Sequence, residues 1–234
     1  MTSFTHDIYD KEHAENFEKV FVATRWGQYK LDLLAELVSH QFNIHSGQTL
    51  LEIGSGTGDL ALRLAKILGN NEVTCLDISR AMIDIAQTKT DDGRVSIKFI
   101  IGDALNLPLK SATFDIVLER NISPLLYEQS WNDGVAQKLL LEMKRCSRNL
   151  VVILHQNKCI TTRQYQYKRY TKNELARRLE EIGLHQVKCS YVTYSIPSVL
   201  EFLGEGRMKK LERVMATIPF INTLGGSIIA SGYV

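Results

Sequence analysis

Three glycines and a preceding carboxylate form the densest group of residues suited to ligand chemistry. Gly54, Gly56 and Gly58 fall within five residues, and Glu52 lies two residues before the first of them, inside an apolar run. Glycines at a turn let backbone N–H groups approach a ligand without interference from Cβ atoms. A helix that begins there would add free N–H donors and the positive end of its dipole. The spacing therefore predicts a ligand-binding loop.

Two further carboxylates stand where they favour a nucleoside. Asp77 follows the apolar run Val73–Leu76, a position from which an acidic group can accept both hydroxyls of a ribose. Asp103 follows the next apolar run, where a carboxylate can accept the exocyclic amine of adenine. Glu52 would repel a pyrophosphate but attract a cation, directly or through water. Together these residues predict an adenosine-bearing ligand with a positive centre and no phosphate chain.

Alternating strands and helices would position these residues. We predict strands at 49–53, 73–76, 95–101, 114–118, 150–154, 187–195 and 227–234. We predict helices at 10–24, 28–40, 58–68, after a Ser79 cap, at 133–146, after a Thr171–Glu174 capping box and at 197–216. Such alternation predicts an α/β fold, a doubly wound parallel sheet with helices on both faces, into which the last strand can insert antiparallel. Functional residues should follow the carboxyl ends of the strands.

Composition bounds the class of protein. The chain has 234 residues, of which 44% are hydrophobic, and a net charge of +2, which suits one globular domain. The four cysteines are too far apart for a metal or redox motif, and we expect no metal. The polar N-terminus and the short apolar runs predict a cytoplasmic protein without a membrane span.

The motifs together resemble a known family. The segment 50–58, Leu-Leu-Glu-Ile-Gly-Ser-Gly-Thr-Gly, is similar to the first motif of class I S-adenosylmethionine-dependent methyltransferases, with small-molecule enzymes as the nearest type. The segment 76–82 resembles the second motif, and Gly102–Ala104 with Phe114-Asp115 resembles the third and fourth. The resemblance covers roughly residues 45–155. It departs at Ser147–Asn149, where the family usually has a Gly-Gly turn.

This resemblance implies a Rossmann-like, seven-stranded sheet whose last strand is antiparallel. It divides the single domain into an N-terminal helical lid (1–45), a cofactor-binding core (46–155) and a substrate-side part (156–234). It also implies S-adenosylmethionine as the cofactor and S-adenosylhomocysteine as the product. The implied cofactor-binding residues are Glu52, Gly54, Ser55, Gly56, Thr57 and Gly58 around the methionine part, Asp77 at the ribose, Ile78, Met82, Asp103 and Ala104 at the adenine, and Arg120 and Asn121 at the amino group.

His155 is the candidate catalytic base for the acceptor. It ends the predicted fifth strand, so we expect it to project toward the site, and histidine titrates near neutral pH. It would instead line the substrate site, or hydrogen-bond a loop, if no base is needed. Aromatic side chains are candidates for enclosing a partly apolar acceptor site, namely Tyr9, Trp26, Tyr29, Tyr127 and Trp131.

A basic stretch is the other candidate substrate contact. Residues 156–180 contain seven basic and two acidic side chains, and Arg163, Tyr167 and Arg169 interleave charge with aromatic rings. Three readings stay open: a solvated connection, a site for an acidic small molecule, and an RNA contact. The last is the weakest of the three, because no added RNA-binding domain is present. The substrate is therefore predicted to be a small molecule, anionic or aromatic, and not DNA, while the sequence leaves the oligomeric state open.

The favoured hypothesis is methyl transfer to an oxygen or nitrogen atom of a small molecule, achieved mainly by alignment and exclusion of water. Two alternatives use the same ligand. One is a different reaction on the cofactor, such as cyclisation or decarboxylation, and the other is a non-catalytic partner subunit. A nicotinamide dehydrogenase fits poorly, because Glu52 and the Gly-x-Gly-x-Gly spacing are unlike its fingerprint.

Overall fold

The fold is one seven-stranded mixed sheet with helices on both faces. A computed structural model describes residues 10–68, 72–90, 95–156, 170–192, 202–217 and 227–234. The strands are β1 (Leu50–Ile53), β2 (Val73–Asp77), β3 (Ile97–Ile101), β4 (Phe114–Arg120), β5 (Ser147–Gln156), β6 (His185–Val192) and β7 (Ser227–Tyr233). Their spatial order is β3-β2-β1-β4-β5-β7-β6. Strand β7 runs antiparallel to both of its neighbours, and the other pairings among the described strands are parallel, which confirms the predicted fold class.

The helices largely follow the predicted apolar patterns. They are α1 (Lys11–Phe17), α2 (Arg25–Gln41), α3 (Asp59–Leu68), α4 (Arg80–Thr88), α5 (Ser123–Leu126), α6 (Glu128–Asn132), α7 (Val135–Cys146), α8 (Lys172–Glu181) and α9 (Glu205–Thr217). A π-helical turn at Glu18–Val22 continues α1. The caps are confirmed: Ser79 accepts from the Met82 N–H at 3.2 Å, and Thr171 accepts from the Glu174 N–H at 3.2 Å. Within the described ranges, no helix is long and apolar enough to cross a membrane.

Strands β4 and β5 extend beyond the apolar runs that predict them. The ladder pairs Glu119 with Ile153, Arg120 with Leu154, and His155 with Ile228 of β7. Backbone pairing therefore continues through polar residues that a hydrophobic pattern excludes. As a result, three polar side chains lie at the carboxyl end of the sheet as parts of strands rather than of loops.

The two faces of the sheet bury separate hydrophobic clusters. One contains Leu50, Leu118 and Leu154 and is covered by α2 and α3; we call it the α2 face. The other contains Leu51 and Ile153 and is covered by α7 and α8; we call it the α7 face. Because successive strand residues point to opposite faces, the polar residues that end each strand divide between the two faces as well.

Candidate functional site

The predicted glycine loop links β1 to α3 and is anchored to β2. The backbone N–H groups of Gly54 and Ser55 donate to the Leu76 carbonyl at 2.7 and 3.1 Å. A Cβ at Gly54 would lie 3.0 Å from the side chain of Ile122, so the loop after β4 packs directly on the glycine. The loop is therefore held between the ends of two strands.

Gly56 differs from Gly54 in what lies above it. Its φ is +54°, in the left-handed region that favours glycine, and a Cβ there would meet nothing within 4 Å. The space beside this peptide is open, while its N–H donates to Asp77 Oδ2 at 2.8 Å. The loop thus combines a fixed backbone with room for a ligand.

Glu52 is a buried carboxylate beneath this loop. It is 1% exposed, and no described group hydrogen-bonds its Oε2 atom. Burial raises the pKa of the Glu52 carboxyl to about 8, against the opposing effects of Arg120 and a hydrogen bond from the Ala61 N–H. Leaving such an oxygen unpaired in the interior is costly, so a ligand that supplies a positive charge or a donor would stabilise it.

Asp77 is the last residue of β2, and its carboxylate accepts hydrogen bonds from the backbone of two loops. Its Oδ2 accepts from Gly56, and its Oδ1 accepts from the Ser79 N–H at 2.9 Å. Burial raises the pKa of this carboxyl, and the backbone hydrogen bonds oppose that shift. Each carboxylate oxygen can accept more than one hydrogen bond, so Asp77 can still receive ligand hydroxyls.

The residues expected at an adenine end lie around the same corner. Ile78 is partly buried and Met82 is buried on α4. Asp103 is exposed, and its Oδ1 accepts from the Leu105 N–H at 2.8 Å, which shapes the turn containing Ala104. Their association with this site remains a prediction.

A lysine joins the loop to the N-terminal helices. Thr57 donates to Asp59 Oδ2 at 2.9 Å, and Lys89 Nζ reaches the same oxygen at 2.5 Å. Lys89 also contacts Glu18 Oε2 of the π-helical turn at 2.8 Å. The segment predicted as a lid is therefore tied by ion pairs to the start of α3.

Arg120 is the last residue of β4, whereas the sequence predicts that it follows the strand, and Asn121 comes directly after it. Asn121 has a φ of +54°, and its N–H donates to the Leu154 carbonyl at 3.1 Å. Arg120 lies on the α2 face, with its guanidinium carbon 6.0 Å from the centre of the Phe21 ring. Neither Arg120 Nε nor Asn121 Oδ1 has a hydrogen-bond partner among the described residues.

His155, which the sequence predicts to project toward the acceptor, is buried in the structure, and its role as a base stays a prediction. Its side chain is buried on the α7 face, with Nε2 3.3 Å from Glu119 Oε2 and its ring 5.3 Å from that of Tyr170. Glu119 also accepts from the Ile122 N–H at 3.2 Å. The strand alternation that places His155 at the end of β5 also turns it inward, beside a second buried carboxylate.

The predicted aromatic residues do not come together in one pocket. Trp26 stacks on Tyr29, with ring centres 6.0 Å apart, in a cluster of α2 and α9. Trp131 instead donates to the Tyr170 hydroxyl at 2.7 Å on the α7 face. Tyr127 is 40% exposed. The remaining candidates, Tyr9, Arg163, Tyr167 and Arg169, lie outside the described residues.

Comparison with known proteins identifies a family model that matches the region containing this loop. Residues 50–149 match the model of a family described as a methyltransferase domain. This region is a methyltransferase domain. It begins with β1 and ends within β5, so it contains the glycine loop, Asp77 and Asp103.

Curated relatives of the methyltransferase domain include demethylmenaquinone methyltransferases. A demethylmenaquinone methyltransferase of Thermotoga maritima is 33% identical over 94 residues, which are 40% of this chain and 36% of that protein. A demethylmenaquinone methyltransferase of Deinococcus radiodurans is 38% identical over 73 residues, which are 31% of this chain and 30% of that protein. The chain therefore spans about a third of the length of these relatives.

Solved structures match the fold over nearly the whole chain. The magnesium protoporphyrin IX methyltransferase of Synechocystis, crystallised with bound S-adenosylmethionine, has a TM-score of 0.68 and 13% identity, and the match covers 100% of this chain and 99% of that chain. The 4+2 cyclase SpnF has a TM-score of 0.66 and 17% identity, covering 97% and 94%. At such identities the likeness shows the fold, which proteins of different reactions share.

Several polar residues that interact with the predicted site residues, or with one another, were not predicted from the sequence. They are Glu18, Lys30, Asp59, Lys89, Glu119, Tyr170 and Glu212. Glu119 carried a usable signal, because, like Glu52, it is a charged residue continuing an apolar strand. The others meet the site through tertiary packing and have no local signal. The part of the chain that the structure describes contains no group of three or more side chains suited to a metal ion.

Proposed function

We propose that this protein binds S-adenosylmethionine and transfers its methyl group to a small-molecule acceptor. The observation that carries the proposal is Glu52, a buried carboxylate with an unpaired oxygen beneath an open glycine loop. A ligand with a positive charge would offset the cost of that burial, whereas a phosphate chain would increase it. The methyltransferase domain that contains Glu52 supports this choice of ligand.

The other residues of the loop fit the remainder of that cofactor. Asp77 offers free lone pairs for ribose hydroxyls, and the open space beside Gly56 allows close approach of the methionine part. Ile78 and Met82 supply apolar contacts for a purine, next to the turn at Asp103 and Ala104. The bound cofactor would supply a methyl group on a sulfonium, which is already a good leaving group.

The task left to the protein is alignment and exclusion of water. Ile122 packs on Gly54, and Glu119 accepts the N–H of Ile122, so this carboxylate fixes the loop that covers the glycines. His155 lies against Glu119 and has no open route to an acceptor among the described residues. We therefore assign His155 as a positioning residue that acts through Glu119, rather than as the base.

The acceptor atom has two candidates. Oxygen or nitrogen is the first, as the sequence predicts for a small-molecule enzyme. Carbon is the second, and it is favoured by a relative from Ruegeria that is named ubiquinone/menaquinone biosynthesis C-methyltransferase and is 33% identical over 72 residues. The aromatic side chains do not decide between the two, because Tyr29 lies in the cluster of α2 and α9 and Trp131 lies on the α7 face.

Calorimetry followed by an acceptor screen tests the proposal. The purified full chain should bind S-adenosylmethionine and S-adenosylhomocysteine, and should release S-adenosylhomocysteine with one member of a panel of phenols, amines and quinols. Nuclear magnetic resonance of the product separates methyl bound to oxygen, nitrogen or carbon. Failure to bind either cofactor form would overturn the proposal. Binding with no S-adenosylhomocysteine release across the panel would favour a partner subunit or another reaction.

A further inference from the structure

Two cationic side chains approach the carboxyl edge of the sheet from different elements. Arg120 ends β4 on the α2 face, two residues after the buried Leu118. Lys30 lies on α2, directly before Leu31 and four residues before Leu34, which are both in the α2-face core. Helical spacing of four residues places Lys30 on the stripe that faces the sheet. The two side chains therefore point toward the same region, above the ends of β1 and β4.

Arg120 has a buried donor that the described residues do not satisfy. Arg120 Nε is buried without a hydrogen-bond acceptor, and no ion pair of Arg120 or Lys30 occurs among the described residues. Burial lowers the pKa of Lys30 to about 8, and the positive charge of Arg120 adds to that shift. Buried donors without acceptors are rare in native proteins, and each one calls for a ligand or an ordered water.

Nearby carboxylates only partly offset this charge. Asp59 is already paired with Lys89. Glu119 lies against His155 on the opposite face. Glu52 has a pKa raised to about 8 by burial, so it is mostly protonated at neutral pH in the free protein. Glu212 of α9 is the remaining buried acid that interacts with Lys30. The charges of Lys30 and Arg120 are therefore only partly offset by nearby acids before any ligand binds.

We propose that Lys30 and Arg120 form a binding site for an anionic oxygen group of the methyl acceptor, such as a carboxylate. The proposal rests on the function proposed above and names the class of its substrate. The fork of donors on Arg120 suits two oxygens at once, and Lys30 supplies a second charge from the helical side. Trp26, partly buried on α2 and four residues before Lys30, offers an apolar surface for the body of that acceptor.

The cofactor's own carboxylate has the same chemistry, so the experiment must separate the two sources. Calorimetry of the full chain saturated with S-adenosylhomocysteine would use two probe pairs, acetate against acetamide and benzoate against benzamide. We expect the anion of at least one pair to bind more tightly than its neutral partner. The Lys30→Met change should weaken that anion about tenfold or more, leaving S-adenosylhomocysteine affinity unchanged. Lys30→Arg should restore anion binding, and Lys66→Met, on the exposed side of α3, should have no effect.

Each alternative outcome is decisive. Equal binding of anion and amide in both pairs by the unchanged protein would overturn the anion site. A loss of S-adenosylhomocysteine affinity in Lys30→Met, which Lys30→Arg restores, would reassign the cations to the cofactor's carboxylate and also overturn it. If the unchanged protein binds no S-adenosylhomocysteine at all, the proposed function itself fails. These failures are distinguishable because cofactor affinity is measured before any probe is added.

Discussion

Two glutamates near the carboxyl ends of neighbouring strands are equally buried but make different contacts. Glu52 on β1 and Glu119 on β4 are 1% and 0% exposed, and the β1–β4 register places Ile53 opposite Glu119. Glu119 contacts a matching side chain, His155, and fixes the backbone of Ile122. Glu52 contacts no such side chain among the described residues and lies beneath an open loop. Contacts rather than burial therefore distinguish the acid that we propose as ligand-binding from the acid that we propose as positioning.

We expect the largest loss of cofactor affinity from a substitution of Asp77. Asp77→Ala removes the acceptor for the Gly56 and Ser79 N–H groups as well as the proposed ribose contact. We expect S-adenosylhomocysteine affinity to fall on the order of 100-fold, because several hydrogen bonds are lost together. Calorimetry measures the change, and Asp84→Ala on the exposed side of α4 is the matched control. An unchanged affinity in a folded variant would remove Asp77 from the site.

The Glu52→Gln substitution should have opposite effects on protein stability and on cofactor affinity. The folded pKa of about 8 lies above the ordinary value of 4.5, so protonation favours the folded state. That contribution is fully present below about pH 4.5 and is lost as pH rises through 8. Glutamine cannot ionise, so the variant should gain stability over the unchanged protein as pH rises through this window. At the same time its cofactor affinity should fall roughly tenfold, because a charge-assisted contact is lost.

Chemical denaturation between pH 4.5 and 8 measures the first effect and calorimetry the second. Glu12→Gln, on the exposed side of α1, should change neither. Cofactor binding to the unchanged protein at pH 7 should also release protons, because a cationic ligand favours the ionised carboxylate. Comparing binding heats in buffers of different ionisation enthalpy detects that release. Its persistence in Glu52→Gln would show that another group, not Glu52, responds to the ligand.

The smallest effect is expected on the positioning side. His155→Ala should lower kcat only several-fold and leave S-adenosylhomocysteine affinity and the pH profile unchanged, since it acts through Glu119 on the Ile122 loop. Glu119→Gln should behave similarly, and exposed His185→Ala should behave like the unchanged protein. A loss of about 100-fold or more together with a lost limb of the pH profile would restore the role of base. That result would show that Glu119 and His155 take part in catalysis rather than in positioning.

The fold and the cofactor-side motifs were predictable because they are local in sequence. Glycines, apolar runs and caps specify the elements over a few residues, and Asp77 lies at a strand end that alternation alone locates. The direction of His155 was not predictable in the same way. The run Leu150–Leu154 is apolar at every position because both faces of β5 are buried, so its pattern does not show which face His155 takes.

The contacts that join distant segments also escaped prediction. Lys89 reaches Glu18 across 71 positions, and Lys30 meets the electrostatic field of Arg120 only through the packing of α2 on the sheet. Nothing in the residues near Lys89 or Lys30 specifies those partners. From sequence alone, charged side chains on a helix are predicted to be solvated. Their partners become known only when the structure shows which element packs against that helix.

The insertion of β7 between β5 and β6 has a consequence for how the molecule is made. Residues 227–233 form ladders with both neighbours, so β6, although earlier in sequence, has no place in the sheet until β7 has been synthesised. The half of the sheet built from β1 to β4 needs no such delay, since its neighbours emerge from the ribosome within residues 50–120. We expect a nascent chain to gain protease resistance in its first half well before its second.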